Sequence, residues 1–394
     1  MKEKVQALCA EYKDLQTDLY KQLHMHPELS FEEFETNAFI KDFLTKNGIA
    51  LMDGITGTNV VGILKGDKPG PTVAFRADID ALPVQECTGL PYASKVDGVM
   101  HACGHDCHCA TLLCFAKLLS EHRDLVKGTV KFLFQSAEEK LPGGALGLVE
   151  DGAIDDCDVV YGFHSSGATN SGEITINVGP LSADISTYQV KVHGKGGHGS
   201  SPHKALNPVP VACQAAMAVN QVLAEKASPL EQAVLTVAYF KNLGGNYPNI
   251  IDDEVIFGGN LRTFNHELTV DLLAKMEKLV KGICEASGLT ADFVSELGYH
   301  SNFNHEREAL IARAAAEAMG YPWKTTPPDL GGEDFSYYVE KKPGAYFSIG
   351  MNDPKTNPNP ATHHNGYMKL DLNSLIIGLE MELAVYLKEL EARA

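Results

Sequence analysis

Four short segments, Pro71–Phe75, Thr129–Phe134, Val159–Phe163 and Ala345–Ile349, are rich in β-formers and apolar at consecutive positions. A strand with one wet face alternates polar and apolar residues. Strands without that alternation are covered on both faces, as in parallel sheets. A helical pattern, Ala110 to Leu119, falls between the first two segments, so the order is that of an α/β fold with a mainly parallel sheet flanked by helices. Upstream, Val5, Leu8, Leu15, Leu19 and Leu23 recur at helical spacing from Glu3 to about His24, and Ser30-Phe31-Glu32-Glu33 fits a capping box opening a second helix. A last helix, roughly Leu372 to Leu390, returns to this domain.

From about Ser186 the pattern changes. Tyr188, Val190 and Val192 alternate with Gln189, Lys191 and His193, the period of a strand with one solvated face. A helix after Asn207-Pro208, strands at Ala233–Phe240 and Glu254–Phe264, a helix from Glu267 to about Ala286 and a strand at Ala291–Glu296 complete a β-α-β-β-α-β order. That order predicts a small ferredoxin-like α+β domain, residues 183–297, inserted into a larger one made of 1–182 and 298–394.

A chain of 394 residues has room for two cores. Its formal net charge of −18 repels phosphate backbones and acidic membrane surfaces, which argues against nucleic-acid or lipid partners. No apolar run reaches membrane-spanning length, and the opening Met-Lys-Glu-Lys-Val-Gln-Ala-Leu-Cys has no secretory apolar stretch, so a cytoplasmic location is expected. Nine cysteines without an export signal point to reduced thiols and metal binding rather than disulfides.

Residues 100–109, Met-His-Ala-Cys-Gly-His-Asp-Cys-His-Cys, concentrate thiol, imidazole and carboxylate groups, the usual ligands of zinc and its neighbours. Cys103 and His105, with a glycine between them, can converge on one ion. Cys107, Cys109 and Cys114 read either as further thiols at the site or as a buried apolar helix face. In open α/β sheets ligands bind beyond the carboxyl ends of the strands, and polar residues collect there: Arg76-Ala77-Asp78-Ile79-Asp80, Glu138-Glu139, His164 and His363-His364. Cys103, His105, Glu139, His164 and one C-terminal histidine make five ligands, enough for two divalent ions sharing one bridging group.

At this point the chain resembles the amidohydrolase branch of the aminoacylase and glutamate carboxypeptidase metallopeptidases, which includes hippurate hydrolase, indoleacetyl-amino-acid hydrolase and N-acetyldiaminopimelate deacetylase. The resemblance spans nearly the whole chain. It rests on His26-Pro27-Glu28-Leu29-Ser30, Arg76-Ala77-Asp78-Ile79-Asp80-Ala81-Leu82-Pro83, Met100 through His108, Ala137-Glu138-Glu139, Gly194-Lys195-Gly196-Gly197-His198, Leu261-Arg262-Thr263-Phe264 and Gly331-Gly332-Glu333-Asp334-Phe335. It implies a metal-binding α/β domain with an inserted dimerisation domain, hence a homodimer, and two divalent metals per chain, Zn, Mn, Co or Ni. Cys103 would bridge the metals, with His105, Glu139, His164 and His363 completing the site. His363 is preferred over His364 because it stands four residues before an aromatic, Tyr367.

The resemblance also implies that Glu138 is the general base. Such a carboxylate, not itself a ligand, takes the proton of a metal-activated water and hands it to the departing amine. Asp78 would orient a metal-binding histidine. His198 would stabilise the oxyanion from the inserted domain of a partner subunit. Asn249 and Arg262 would hold substrate, although Arg262 also reads as a strand-surface charge, and Glu333 would line the pocket or cap a helix. The expected reaction is cleavage of the amide of a small-molecule N-acyl amino acid or related conjugate. A dipeptidase or carboxypeptidase on the same site is the alternative. Cys107, Cys109, Lys140 and the His164-Ser165-Ser166-Gly167 stretch depart from the family pattern around the pocket, so they bear on substrate preference and leave the expected ligands intact.

Overall fold

The computed structural model describes residues 1–245 and 247–393, which divide into two compact units. The first comprises Met1–Leu181, Phe303–Pro327 and Asp334–Ala394; the second comprises Ser182–Asn302 and Pro328–Glu333.

The first unit is built on an eight-stranded sheet with a parallel centre. The strand Lys68–Asp78 lies between Lys127–Gln135 and Val159–Asn170, and Val159–Asn170 pairs in turn with Gly344–Asn352, all in parallel. Val60–Lys65 runs antiparallel along Lys127–Gln135 and makes the sheet mixed toward that edge. The consecutive apolar runs have the expected cause. Val73, Phe75 and Ala77 point into one core with Phe132, Tyr161 and Phe347, where the helices His105–Glu121 and Leu375–Ala392 pack, while Ala74, Leu133, Val160 and Tyr346 point into a second core on the other face.

Two local expectations are corrected. The N-terminal periodicity is carried by two helices, Lys2–Ala10 and Lys13–Met25, and not one. The capping box does not form: the helix Phe34–Lys46 has Glu33 at its cap position without a side-chain cap bond. Ser30 donates to Asp80 instead, and the Glu28 carboxylate accepts the N–H groups of Glu35 and Thr36. Tertiary partners have displaced the local cap.

The second unit holds a four-stranded antiparallel sheet in the spatial order Val234–Asn242, Glu254–Thr263, Asp184–His193, Thr290–Leu297, a ferredoxin-like topology. Helices Pro208–Lys226 and His266–Ala286 share its core, and Asn207 and Asn265 cap them by accepting the N–H groups of Val209 and Leu268. The segment 328–333, far away in sequence, also belongs here. Ser182 bridges Asp329 and the Ala183 N–H donates to the Gly331 carbonyl.

Candidate metal centre

The site is assembled at the carboxyl ends of the parallel strands. Cys103 precedes the helix His105–Glu121, which begins at Gly104 in a left-handed conformation, φ 86°. Only glycine suits that position, since a Cβ there would lie 2.4 Å from Ser165 Oγ. His164 sits inside the strand Val159–Asn170, which continues past the expected end at Phe163.

Two groups of three donors share one residue. Cys103, His105 and His164 bring ligand-type atoms within 4.8 Å of one another, and so do Cys103, Glu139 and His364. Glu138 lies in a further group with His105 and Glu139 and is buried. The thiol of Cys103 is the shared member, as a bridging ligand would be. Cys107, Cys109 and Cys114 are fully buried in the core, with Cys107 Sγ 3.5 Å from Met351 Sδ, and burial pushes their thiol pKa values up. They are the apolar face of the helix.

Hydrogen bonds settle which ring nitrogens face inward. His105 Nδ1 lies 3.0 Å from both the carbonyl and Oδ1 of Asp80, and His164 Nδ1 lies 2.7 Å from the Ser165 carbonyl. Each Nδ1 is therefore a donor, and each Nε2 presents its lone pair. His164 Nε2 stands 3.5 Å from Cys103 Sγ. His108 is different. Its Nδ1 is 2.5 Å from Asp78 Oδ1 and its Nε2 accepts the Ser165 N–H at 2.8 Å, so both nitrogens are spent. It is a strut between two strands.

Asp80, and not Asp78, makes the hydrogen bond to the His105 ring. Asp78 comes within 3.6 Å of His105 Nε2, but its hydrogen bonds go to Arg76 and His108. Burial alone would raise the Asp78 carboxyl, yet Arg76, His105 and His108 hold it well below the usual carboxylate range. Arg76 is itself buried and also donates to Gln135 and Asp334. Asp80 holds two donors at once: it meets His105 through Oδ1 and accepts the Glu139 N–H through Oδ2 at 3.0 Å. Its signal was the second aspartate of Asp-Ile-Asp, just past the strand end.

The C-terminal histidines divide. His364 Nε2 is 3.0 Å from Glu139 Oε1, and hydrogen bonds with Cys103 and Glu139 raise its pKa to about 10. His363 lies against His164, ring centroids 4.8 Å apart and planes tilted by 45°, and burial together with His108 and His105 lowers its pKa to about 4. Its Nε2 is buried without a hydrogen-bond partner, as is that of His105. Leaving such atoms unpaired costs about 1–3 kcal/mol each. A divalent cation would satisfy both, so the donor set fits a metal.

In the second unit, Gly197–His198 pairs with Ile250–Ile251, which brings His198 and Asn249 onto one exposed ribbon. His198 Nδ1 accepts the Ser200 N–H at 3.1 Å, which leaves Nε2–H as an outward donor. Arg262 gives its N–H groups to the carbonyls of Leu330, Ser186 and Leu261. Glu333 ends the segment 328–333 and is buried.

Comparison with known proteins places the chain in a class. The profile of peptidase family M20/M25/M40 matches residues 74–388, and the chain belongs to that family. It is 39% identical over 341 residues to an N-acetyl-L-cysteine deacetylase of Bacillus subtilis, covering 86% of this chain and 81% of that one. It is 36% identical over 357 residues to thermostable carboxypeptidase 1 of Saccharolobus solfataricus, covering 90% of each. A crystal structure of a dinuclear metal-binding M20 peptidase from Bacillus subtilis superposes with a TM-score of 0.81 at 32% identity, covering 97% of this chain and 99% of that one.

Proposed function

We propose that this protein is a dinuclear metal-dependent amidohydrolase that cleaves N-acyl amino acids or related small conjugates into a carboxylic acid and an amino acid. The observation that carries the reading is the pair of donor groups meeting at Cys103, with Glu138 buried beside them. Cys103, His105, Glu139, His164 and a C-terminal histidine would hold two divalent ions, Zn, Mn, Co or Ni; His364 is the one that stands in the second donor group, and His363 is preferred for its buried Nε2 without a hydrogen-bond partner. When bound, such ions polarise the scissile carbonyl and acidify water.

The chain's own residues supply the rest. Glu138 takes the proton of the attacking water and delivers it to the departing amine. His198, through Nε2–H, donates to the oxyanion. Asn249, with its exposed side chain, contributes to holding substrate, whereas Arg262 is largely committed to carbonyls. Asp80 keeps His105 and Glu139 in place. The working form is a cytoplasmic homodimer joined through the second unit. The described helices include none long and apolar enough to cross a membrane.

Peptide hydrolysis on the same site is the second reading, favoured by the carboxypeptidase relative. One experiment separates the two. Enzyme reconstituted with each metal is offered a panel of N-acetyl and N-aroyl amino acids alongside free dipeptides, with released amine as readout. Preference for the acyl compounds, abolished by chelation and restored by metal, is expected. Exclusive cleavage of dipeptides would overturn the amidohydrolase reading.

A further inference from the structure

The residue that introduces the two glutamates is conformationally out of the ordinary. Ala137 has φ +50°, in the left-handed region that a residue with a Cβ adopts at a cost. It stands two positions after the end of the strand Lys127–Gln135 and directly precedes Glu138-Glu139, so its dihedral angle sets the direction in which both carboxylates leave the sheet. Such a conformation persists only when its surroundings over-determine it.

Three buried side chains from separate parts of the first unit grip this turn by its backbone. Asn59 Oδ1 accepts the Ser136 N–H at 2.8 Å, Glu33 Oε1 accepts the Ala137 N–H at 2.8 Å, and Asp80 Oδ2 accepts the Glu139 N–H at 3.0 Å. The Glu33 bond is the one that acts on the strained residue. Glu33 is fully buried at the start of the helix Phe34–Lys46, and its second oxygen accepts the Thr58 hydroxyl at 2.5 Å. A carboxylate in a core is costly unless its oxygens are satisfied, and here its donors are neutral groups, one of them the Ala137 amide.

We propose that Glu33 is a positioning residue for the reaction: by accepting the Ala137 N–H it holds the left-handed turn that aims Glu138. The proposal rests on Glu138 acting as the base. The Glu33 carboxylate meets the Thr58 hydroxyl and the Ala137 amide, and its effect passes through that one backbone amide.

Glu33→Ala is expected to lower kcat at least about tenfold, the scale of a small misplacement of a reacting group, with KM and bound metal close to wild type. Glu33→Gln should retain most of kcat, since its amide oxygen still accepts the Ala137 N–H while its NH2 turns to the Thr58 hydroxyl. Adding Ala137→Gly to Glu33→Ala should raise kcat above that of Glu33→Ala alone, because glycine enters the left-handed region without a side-chain penalty. A purely structural role predicts no such rescue. Unchanged kcat in Glu33→Ala, activity lost only in proportion to metal, or no gain from the added glycine would overturn the proposal.

Amide hydrogen exchange over residues 136–139 gives a readout independent of turnover. It should accelerate about tenfold or more in Glu33→Ala and return toward wild type in Glu33→Gln. Unchanged exchange overturns the Glu33 role even if the enzyme is active. Wild-type protein that is inert on the whole substrate panel, yet shows the exchange effect, overturns the amidohydrolase reading alone. If Glu33→Ala does not fold by near-ultraviolet circular dichroism, Glu33→Met, which fills a similar volume without offering an acceptor to the Ala137 N–H, replaces it with the same expected directions.

Discussion

Asp80 Oδ1 stands 3.0 Å from Nδ1 of His105, and that contact decides which ring nitrogen faces the donor cluster. The same carboxylate accepts the Glu139 N–H, so a single buried group orients one donor through its ring and another through its backbone. Burial alone would raise the Asp80 carboxyl, but the His105 hydrogen bond and charge hold it below the usual range. Asp80→Asn should weaken metal binding about 10–100-fold, the usual effect of removing a partner of a liganding histidine. Competition with a chromogenic chelator measures this. Wild-type affinity in Asp80→Asn would remove Asp80 from that role.

Glu138→Gln separates metal content from rate. The substitution neutralises a base without deleting a proposed ligand, so two ions per chain should remain while turnover falls at least about a hundredfold. Elemental analysis and single-substrate kinetics on the same preparation check both halves. Normal turnover in the folded variant would assign the proton transfer elsewhere.

How much of this was readable beforehand depended on how local the cause was. The four central strands announced themselves because both of their faces are buried, which leaves consecutive apolar residues in the sequence. The break between Lys2–Ala10 and Lys13–Met25 was invisible because apolar spacing runs through it. Ser30 misled because its hydroxyl is claimed by Asp80, a partner 50 residues away. Cys107, Cys109 and Cys114 are turned into the core by the helix starting at His105, whereas Cys103 precedes that helix, and composition carries neither the boundary nor the phase. Asp80 stood in plain view, but which aspartate of Asp-Ile-Asp meets His105 depends on how the chain bends after Asp78.

The two C-terminal histidines are distinguishable by metal analysis. His363 combines a buried, unpartnered Nε2 with a pKa lowered to about 4, the state of a neutral imidazole ready to ligate. His364 is exposed and paired with Glu139. His363→Ala is therefore expected to lose one ion per chain after dialysis, and His364→Ala to retain two. The reverse pattern would make His364 the ligand.

His24 gives the fold a pH dependence outside the donor cluster. Its Nδ1 is 2.6 Å from Asp106 Oδ2 and its Nε2 3.3 Å from Glu86 Oε1. Burial alone would lower its pKa, but these two carboxylates outweigh it and raise the value from 6.5 to about 10. A folded-state value above the unfolded one means that the stabilisation is complete below pH 6.5, declines as pH rises, and is gone once pH passes about 10. Glu86, lowered from 4.5 to about 2 against the opposing effect of burial, contributes above pH 4.5 and loses its share as pH falls toward 2. Urea midpoints between pH 6.5 and 10 should fall more steeply for wild type than for His24→Gln. Parallel curves would show that His24 does not carry the dependence.

His198 tests whether two subunits share a site. Its Nδ1 is engaged by the Ser200 N–H, so Nε2–H is the group it offers, on an exposed ribbon of the second unit. If His198 of one subunit serves the other, a mixed dimer of Glu138→Gln and His198→Ala subunits contains one site with both lesions and one with neither. Mixing the two inactive variants under subunit exchange should then restore activity, because an intact oxyanion donor contributes about 3–4 kcal/mol to the transition state. If His198 serves its own subunit, every site in the mixed dimer keeps one lesion and nothing returns. Native mass spectrometry verifies that mixed dimers have formed, and verified mixed dimers without activity would rule out the shared site.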